Sequence, residues 1–143
     1  MKTITITYSM DSDGVTPIVT VPMHNGDHNA VLDLADFNEL MALKVSPLWR
    51  FVSGMVFECG ASKISIARLV CDCGVKQKVQ FLSGNPLDLR RFNLVVTKGA
   101  GKYRARDQLI RDPAILILKE KVEIKPIYIN PPYMTQLQDS LKS

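Results

Sequence analysis

Residues 83–97 read SGNPLDLRRFNLVVT, and this stretch organises the chain. Gly84, Asn85 and Pro86 are turn chemistry: Gly supplies positive φ, Asn tolerates it, and Pro fixes its own φ. Leu94, Val95 and Val96 are β-formers. Between turn and strand lie Asp88, Arg90, Arg91 and Asn93. The segment before it, residues 75–82 (VKQKVQFL), alternates, with Lys76 and Lys78 on one face and apolar residues on the other. The two segments predict a pair of strands joined by a long polar turn.

The positive charge continues past the second strand. Residues 98–108 hold Lys98, Lys102, Arg104 and Arg106, with Tyr103 available to stack on a base or ribose. Residues 60–111 carry eleven Lys or Arg against three Asp or Glu. Residues 1–59 carry three against seven, and residues 112–143 four against four. A lone basic residue is ordinarily a solvated charge. A basic middle on an acidic-to-neutral remainder is the footprint of a polyanion binder.

The motif at residues 83–97 resembles the heart of the HNH homing-type endonucleases of phages and mobile elements, whose pattern runs D-H-x-N-G-N-x-x-D-N-R-x-x-N-L. Gly84, Asn85, Asp88, Arg90, Asn93 and Leu94 match it. The family's Asp-His falls on Gln80 and Phe81, and its later metal-binding His or Asn falls near Gly101. A family His-Arg-Leu falls on Ala67, Arg68 and Leu69, so the Arg and Leu remain and the His is gone. Phe81 can neither accept a proton nor bind a metal, and neutral Gln80 is a poor Mg²⁺ ligand. The resemblance implies a ββα-metal fold that has lost its chemistry, with no catalytic residue, no metal and no cofactor. It also implies a retained grip on nucleic acid, DNA ahead of RNA. The candidate contact residues are Arg68, Lys76, Lys78, Asn85, Arg90, Arg91, Asn93, Lys98, Lys102, Tyr103, Arg104 and Arg106. Arg90 and Arg91, leaving a turn beside a strand, are expected to project their heads outward. The ββα helix belongs in residues 98–108, although Gly99 and Gly101 weaken its first turn by about 1 kcal/mol each.

Toward the N-terminus, residues 2–8 alternate Thr with Ile or Tyr and predict a strand with one buried face. Residues 15–21 predict a second, with Pro17 near an edge, and the two suit a hairpin. Residues 24–29 (HNGDHN) are a polar loop. His24, Asp27 and His28 could hold a metal, but their spacing fits no helix face, and a solvated loop is the ordinary reading. Asp33 can cap a helix over residues 34–44 with Phe37, Leu40 and Met41 on one stripe. Trp49, Phe51 and residues 54–57 predict two short strands around a turn. Residues 20–58 are similar, at pattern level, to the leader of phage HNH proteins. Residues 63–70 (KISIARLV) alternate and then turn apolar. Cys59, Cys71 and Cys73 are too closely spaced for a good zinc site, and buried or loop thiols are expected.

Residues 109–143 extend beyond the motif. Strands are expected at 114–118 and 122–129, the second at an edge because Pro126 lacks a ladder donor. A break at Pro131 and Pro132 precedes a short helix over 133–141. The expected whole is one small α+β domain of antiparallel hairpins: a leader at 20–58, a degenerate HNH-like core at 59–108, and a C-terminal β and short-helix extension at 109–143. The odd cysteine count suits a reducing compartment. No apolar run reaches membrane-spanning length, and the first residues do not resemble a secretion signal, so a cytoplasmic protein without a membrane partner is expected. The C-terminal extension offers a second possibility, a protein partner captured by strand addition.

Overall fold

A computed structural model describes residues 2–59, 64–109 and 122–129. Within them the chain forms β1 (Lys2–Met10), β2 (Pro17–Pro22), β3 (Asn29–Asp33), α1 (Leu34–Ala42), β4 (Trp49–Val52) and β5 (Met55–Glu58). Then follow α2 (Ile66–Val70), β6 (Gln77–Phe81), β7 (Leu94–Lys98) and β8 (Val122–Tyr128). The architecture is mixed α+β. One four-stranded sheet has the order β3-β2-β1-β8, and β4-β5 and β6-β7 are separate two-stranded sheets. The expected strand at 114–118, the breaks at 112–113 and 130–132, and the helix at 133–141 lie outside the described residues.

Alternation in β1 sorts its side chains: Ile4, Ile6 and Tyr8 are buried, and the threonines take the other face. The turn to β2 is closed by the Asp13 carboxylate. It accepts from the backbone N–H groups of Val15 and Thr16 and from the Thr16 hydroxyl, and these bonds hold it below the usual carboxylate range. β1 and β2 pair antiparallel as expected. β8 lies along the other side of β1, in parallel, from Lys2 opposite Val122 to Tyr8 opposite Tyr128. Among the described residues it lies at the edge of the sheet, which suits Pro126, and Tyr128 stacks on Tyr8 with ring centroids 5.0 Å apart.

β3 is a strand that sequence patterning did not reveal. It pairs antiparallel with β2, and its outer edge is met by the turn motif. Val31 N–H donates to Leu87 O at 3.0 Å, and Leu89 N–H donates to Val31 O at 2.7 Å. Leu89 thereby enters the core fully buried. α1 follows, shorter than expected. Asp33 precedes it without capping it, because its carboxylate instead accepts the backbone N–H of Arg91 at 3.3 Å. Leu34, Phe37 and Leu40 bury one helical stripe.

Trp49 is fully buried, and its Nε1 donates to Ser46 O at 2.7 Å. The buried Glu58 carboxylate accepts the Ser46 N–H, which ties the β4-β5 hairpin to the end of α1. Residues 66–70 form α2 because Ser65 caps it, its Oγ accepting Arg68 N–H at 3.3 Å, and because Ile66, Ala67, Leu69 and Val70 are all buried.

β6 and β7 pair antiparallel, Gln77 opposite Lys98 through Phe81 opposite Leu94. The helix expected over 98–108 does not follow; a loop leads to a single 3-10 turn at Ala105–Gln108. The reason lies in the glycines. Residues 99–101 fold back over the start of β6, where Gly99 N–H donates to Lys76 O at 3.0 Å and Lys76 N–H donates to Gly101 O at 2.6 Å. A Cβ on Gly99 would stand 2.8 Å from that of Lys78. Among the described residues no helix is long and apolar enough to cross a membrane.

Candidate nucleic-acid interface

The matched motif residues hold the turn together. Arg90 grips Asp88 with two prongs, Nε to Oδ1 at 2.7 Å and Nη2 to Oδ2 at 2.8 Å. Its third nitrogen, Nη1, reaches Asp11 Oδ1 at 2.7 Å. Asp88 raises the Arg90 pKa well above its usual range. The expectation that this head projects outward is corrected: the side chain is 22% exposed and its charge is matched from two sides. The guanidinium also lies 4.5 Å from the centroid of the exposed Phe92 ring. Asn93 is buried; its amide donates to Asp88 O at 2.9 Å and its Oδ1 accepts Ser83 N–H at 2.8 Å. Asn85 is exposed, and its Oδ1 accepts Leu87 N–H inside the turn.

The other candidate arginines also turn toward the protein. Arg91 pairs with the buried Asp36 at 3.0 Å and donates to Val70 O at 2.8 Å, although half its side chain stays exposed. Arg104 pairs with Asp72, whose carboxyl it holds below the usual range. Arg106 reaches Glu39 at 2.6 Å and Leu69 O at 3.1 Å. Arg68 donates to Tyr103 O at 3.2 Å and to Gly74 O at 3.4 Å, fastening the 99–103 loop to α2. All five expected contact arginines thus stitch the domain together through partners that charge patterning alone does not disclose.

The lysines are placed differently. Lys76, Lys78, Lys98 and Lys102 are all exposed and none makes an ion pair among the described residues. The backbone bonds between Lys76 and residues 99–101 bring them to one end of the β6-β7 hairpin. Lys76 has positive φ and precedes the strand, so it does not share a strand face with Lys78 as expected. Tyr103 stands beside them, 61% exposed. An open cleft of about 570 Å³ lies here, lined by residues including Val75, Lys76, Val96 and Lys98. Neither 73–87 nor 89–106 contains an Asp or Glu.

Gln80 and Phe81 lie in β6; Gln80 is exposed and Phe81 packs partly against the core. Gln80 was absent from the expected contact residues. The alternation of Lys78 and Gln80 with Val79 and Phe81 carried the signal that its side chain faces outward. Among the described residues no group of three or more His, Cys, Asp or Glu could hold a metal ion. Cys59 and Cys73 are buried, and burial pushes the half-buried Cys71 thiol up. His28 sits edge-on to Phe51, while His24 and Asp27 line a second concavity beside the threonines of β1. Comparison of the chain with protein-family models, with curated proteins and with solved structures finds no match.

Proposed function

We propose that this chain binds nucleic acid without cleaving it, on a scaffold derived from an HNH endonuclease, and acts as a repressor or accessory factor. The observation that carries the reading is the division of labour among the cations. The arginines are matched internally, while Lys76, Lys78, Lys98 and Lys102 gather around one end of β6-β7, near Tyr103, exposed and without an ion pair among the described residues. Lysines of this kind contact phosphates as point charges, giving affinity that falls with salt. Gln80 and Phe81 offer neither a proton acceptor nor a strong Mg²⁺ ligand where the related enzymes keep theirs. The test is binding of the full chain to labelled duplex DNA across a salt series with Mg²⁺ present. Intact DNA and a steep salt slope are expected. The triple variant Lys76→Ala, Lys98→Ala, Lys102→Ala should reduce that slope by about 2.7, near 0.9 per lost phosphate contact. An unchanged slope, or no binding at low salt, overturns the reading.

A second reading rests on β8. Among the described residues this strand pairs on one side only, with β1, and Ile124, Ile127 and Ile129 are exposed. A protein partner adding a strand there would use main-chain bonds and these side chains. Loss of a partner on Ile127→Lys, with DNA binding intact, would favour it.

A further inference from the structure

We infer that the β6-β7 ribbon enters the major groove of duplex DNA and that Lys78 and Gln80 read base edges there; this rests on the nucleic-acid reading above. Strand parity fixes which side chains are available. Val79, Phe81 and Leu94 pack toward the core, which leaves Lys78 and Gln80 exposed on the other face of β6. Val95 and Thr97, opposite them on β7, are partly buried, and exposure on β7 falls on Val96 and Lys98. The Thr97 hydroxyl is shielded from solvent, so base reading falls to Lys78 and Gln80.

Three observations favour a groove as the occupant's contact. Apart from Asp88, which Arg90 matches within the connection, residues 73–106 contain no acidic residue, which complements a polyanion. No described helix is suited to the role, since α1 carries Asp36 and Glu39 and α2 has five residues, four of them buried. The ribbon is also held in place. Asn93 clamps its connection, and the pairing of Val31 with Leu87 and Leu89 docks that connection on the main sheet. A rigidly mounted two-stranded ribbon fits the major groove of B-DNA, whereas the A-form major groove is too deep and narrow to be read. Gln pairs two-pronged with adenine N6 and N7, and Lys with guanine O6 and N7. Lys76, Lys98 and Lys102 at the ribbon's end are then placed for the flanking phosphates.

The test is selection of preferred duplexes from a random pool by the full chain, followed by guanine-N7 methylation interference and competition with a minor-groove ligand. Methylation in the selected site should abolish binding, and the minor-groove ligand should compete weakly. Gln80→Ala should erase the preference at one or two positions, costing roughly tenfold for the selected site, with binding to random duplex within about twofold. Salt-dependent binding without N7 interference, an unaltered preference in Gln80→Ala, or equal binding to duplex RNA overturns the groove assignment while leaving a nucleic-acid binder. No binding to any nucleic acid at low salt overturns both.

Discussion

Arg90 and Asp88 stand two residues apart and meet through two parallel hydrogen bonds of 2.7 and 2.8 Å, a pairing that bends the chain back on itself and presents Leu89 to the core. Asp88 is nearly buried, so removal of Arg90 would leave a carboxylate without its partner. Arg90→Ala should cost roughly 3 kcal/mol in denaturant unfolding. Arg90→Lys should recover little of it, because an ammonium cannot form the two-pronged bond and reach Asp11 as well. Asp88→Ala and the double variant should close a cycle with a coupling above about 1 kcal/mol. Additive losses would show that the pair does not act as a unit.

Asn93 spans the same turn from the other side. Replacing it with Ala leaves both Ser83 N–H and Asp88 O without their bonds and opens a small void, a loss of about 2–3 kcal/mol. Asn93→Asp keeps the acceptor but removes the donor and buries a charge. That variant should be less stable than Asn93→Ala at pH 7 and should recover in acid as the carboxyl protonates. Equal stability of the two variants across pH 4–7 would contradict the buried clamp.

These two clamps show how much of the molecule can be read from its residues. Gly84, Asn85 and Pro86 announce a turn, alternation announces β1, and Pro126 assigns β8 to the edge it holds among the described residues, because each is a local rule of backbone chemistry. β3 escaped because its five residues follow a polar loop and draw their pairing from β2 and from residues 87–89, far along the chain. The parallel match of β1 to β8 spans some 120 positions and has no local signature. The arginines were legible as charge but not as structure. Asp11 lies 79 positions from Arg90, and Asp36 lies 55 from Arg91, so only the fold reveals that those charges are matched.

Asp33 gives a pH-dependent prediction. Burial raises its carboxyl above the usual range; the Arg91 N–H bond opposes this, and the Asp36 and Asp11 charges add to it. An acid raised in the folded state destabilises the fold wherever it is charged, above the folded value. That penalty disappears as pH falls below the unfolded value of about 3.9. Asp33→Asn keeps an acceptor for Arg91 and should therefore be more stable at pH 7. The gain should be small, on the order of 1 °C in Tm, because a half-exposed carboxylate is screened. The difference should shrink toward pH 4. A loss of stability at pH 7 would mean that attraction to Arg91 outweighs burial.

Gly101 joins the fold to the proposed interface. Arg68 and the carbonyl of Gln77 crowd the position, and a Cβ there would lie 3.0 Å from Arg68 Nη2 and 3.1 Å from Gln77 O. The carbonyl belongs to the ladder of β6 and cannot move aside cheaply, so the loop must yield. Gly101→Ala should cost about 1 kcal/mol by overpacking. It should also displace Lys102 and loosen the Lys76 bond that gathers the lysines, weakening DNA binding severalfold at a temperature where the protein remains folded. Gly26→Ala, with nothing within 4 Å of the added carbon, should alter neither property. If Gly101→Ala lowers stability yet leaves affinity and salt slope unchanged, the loop does not organise the basic surface, and the grip must lie elsewhere on the chain.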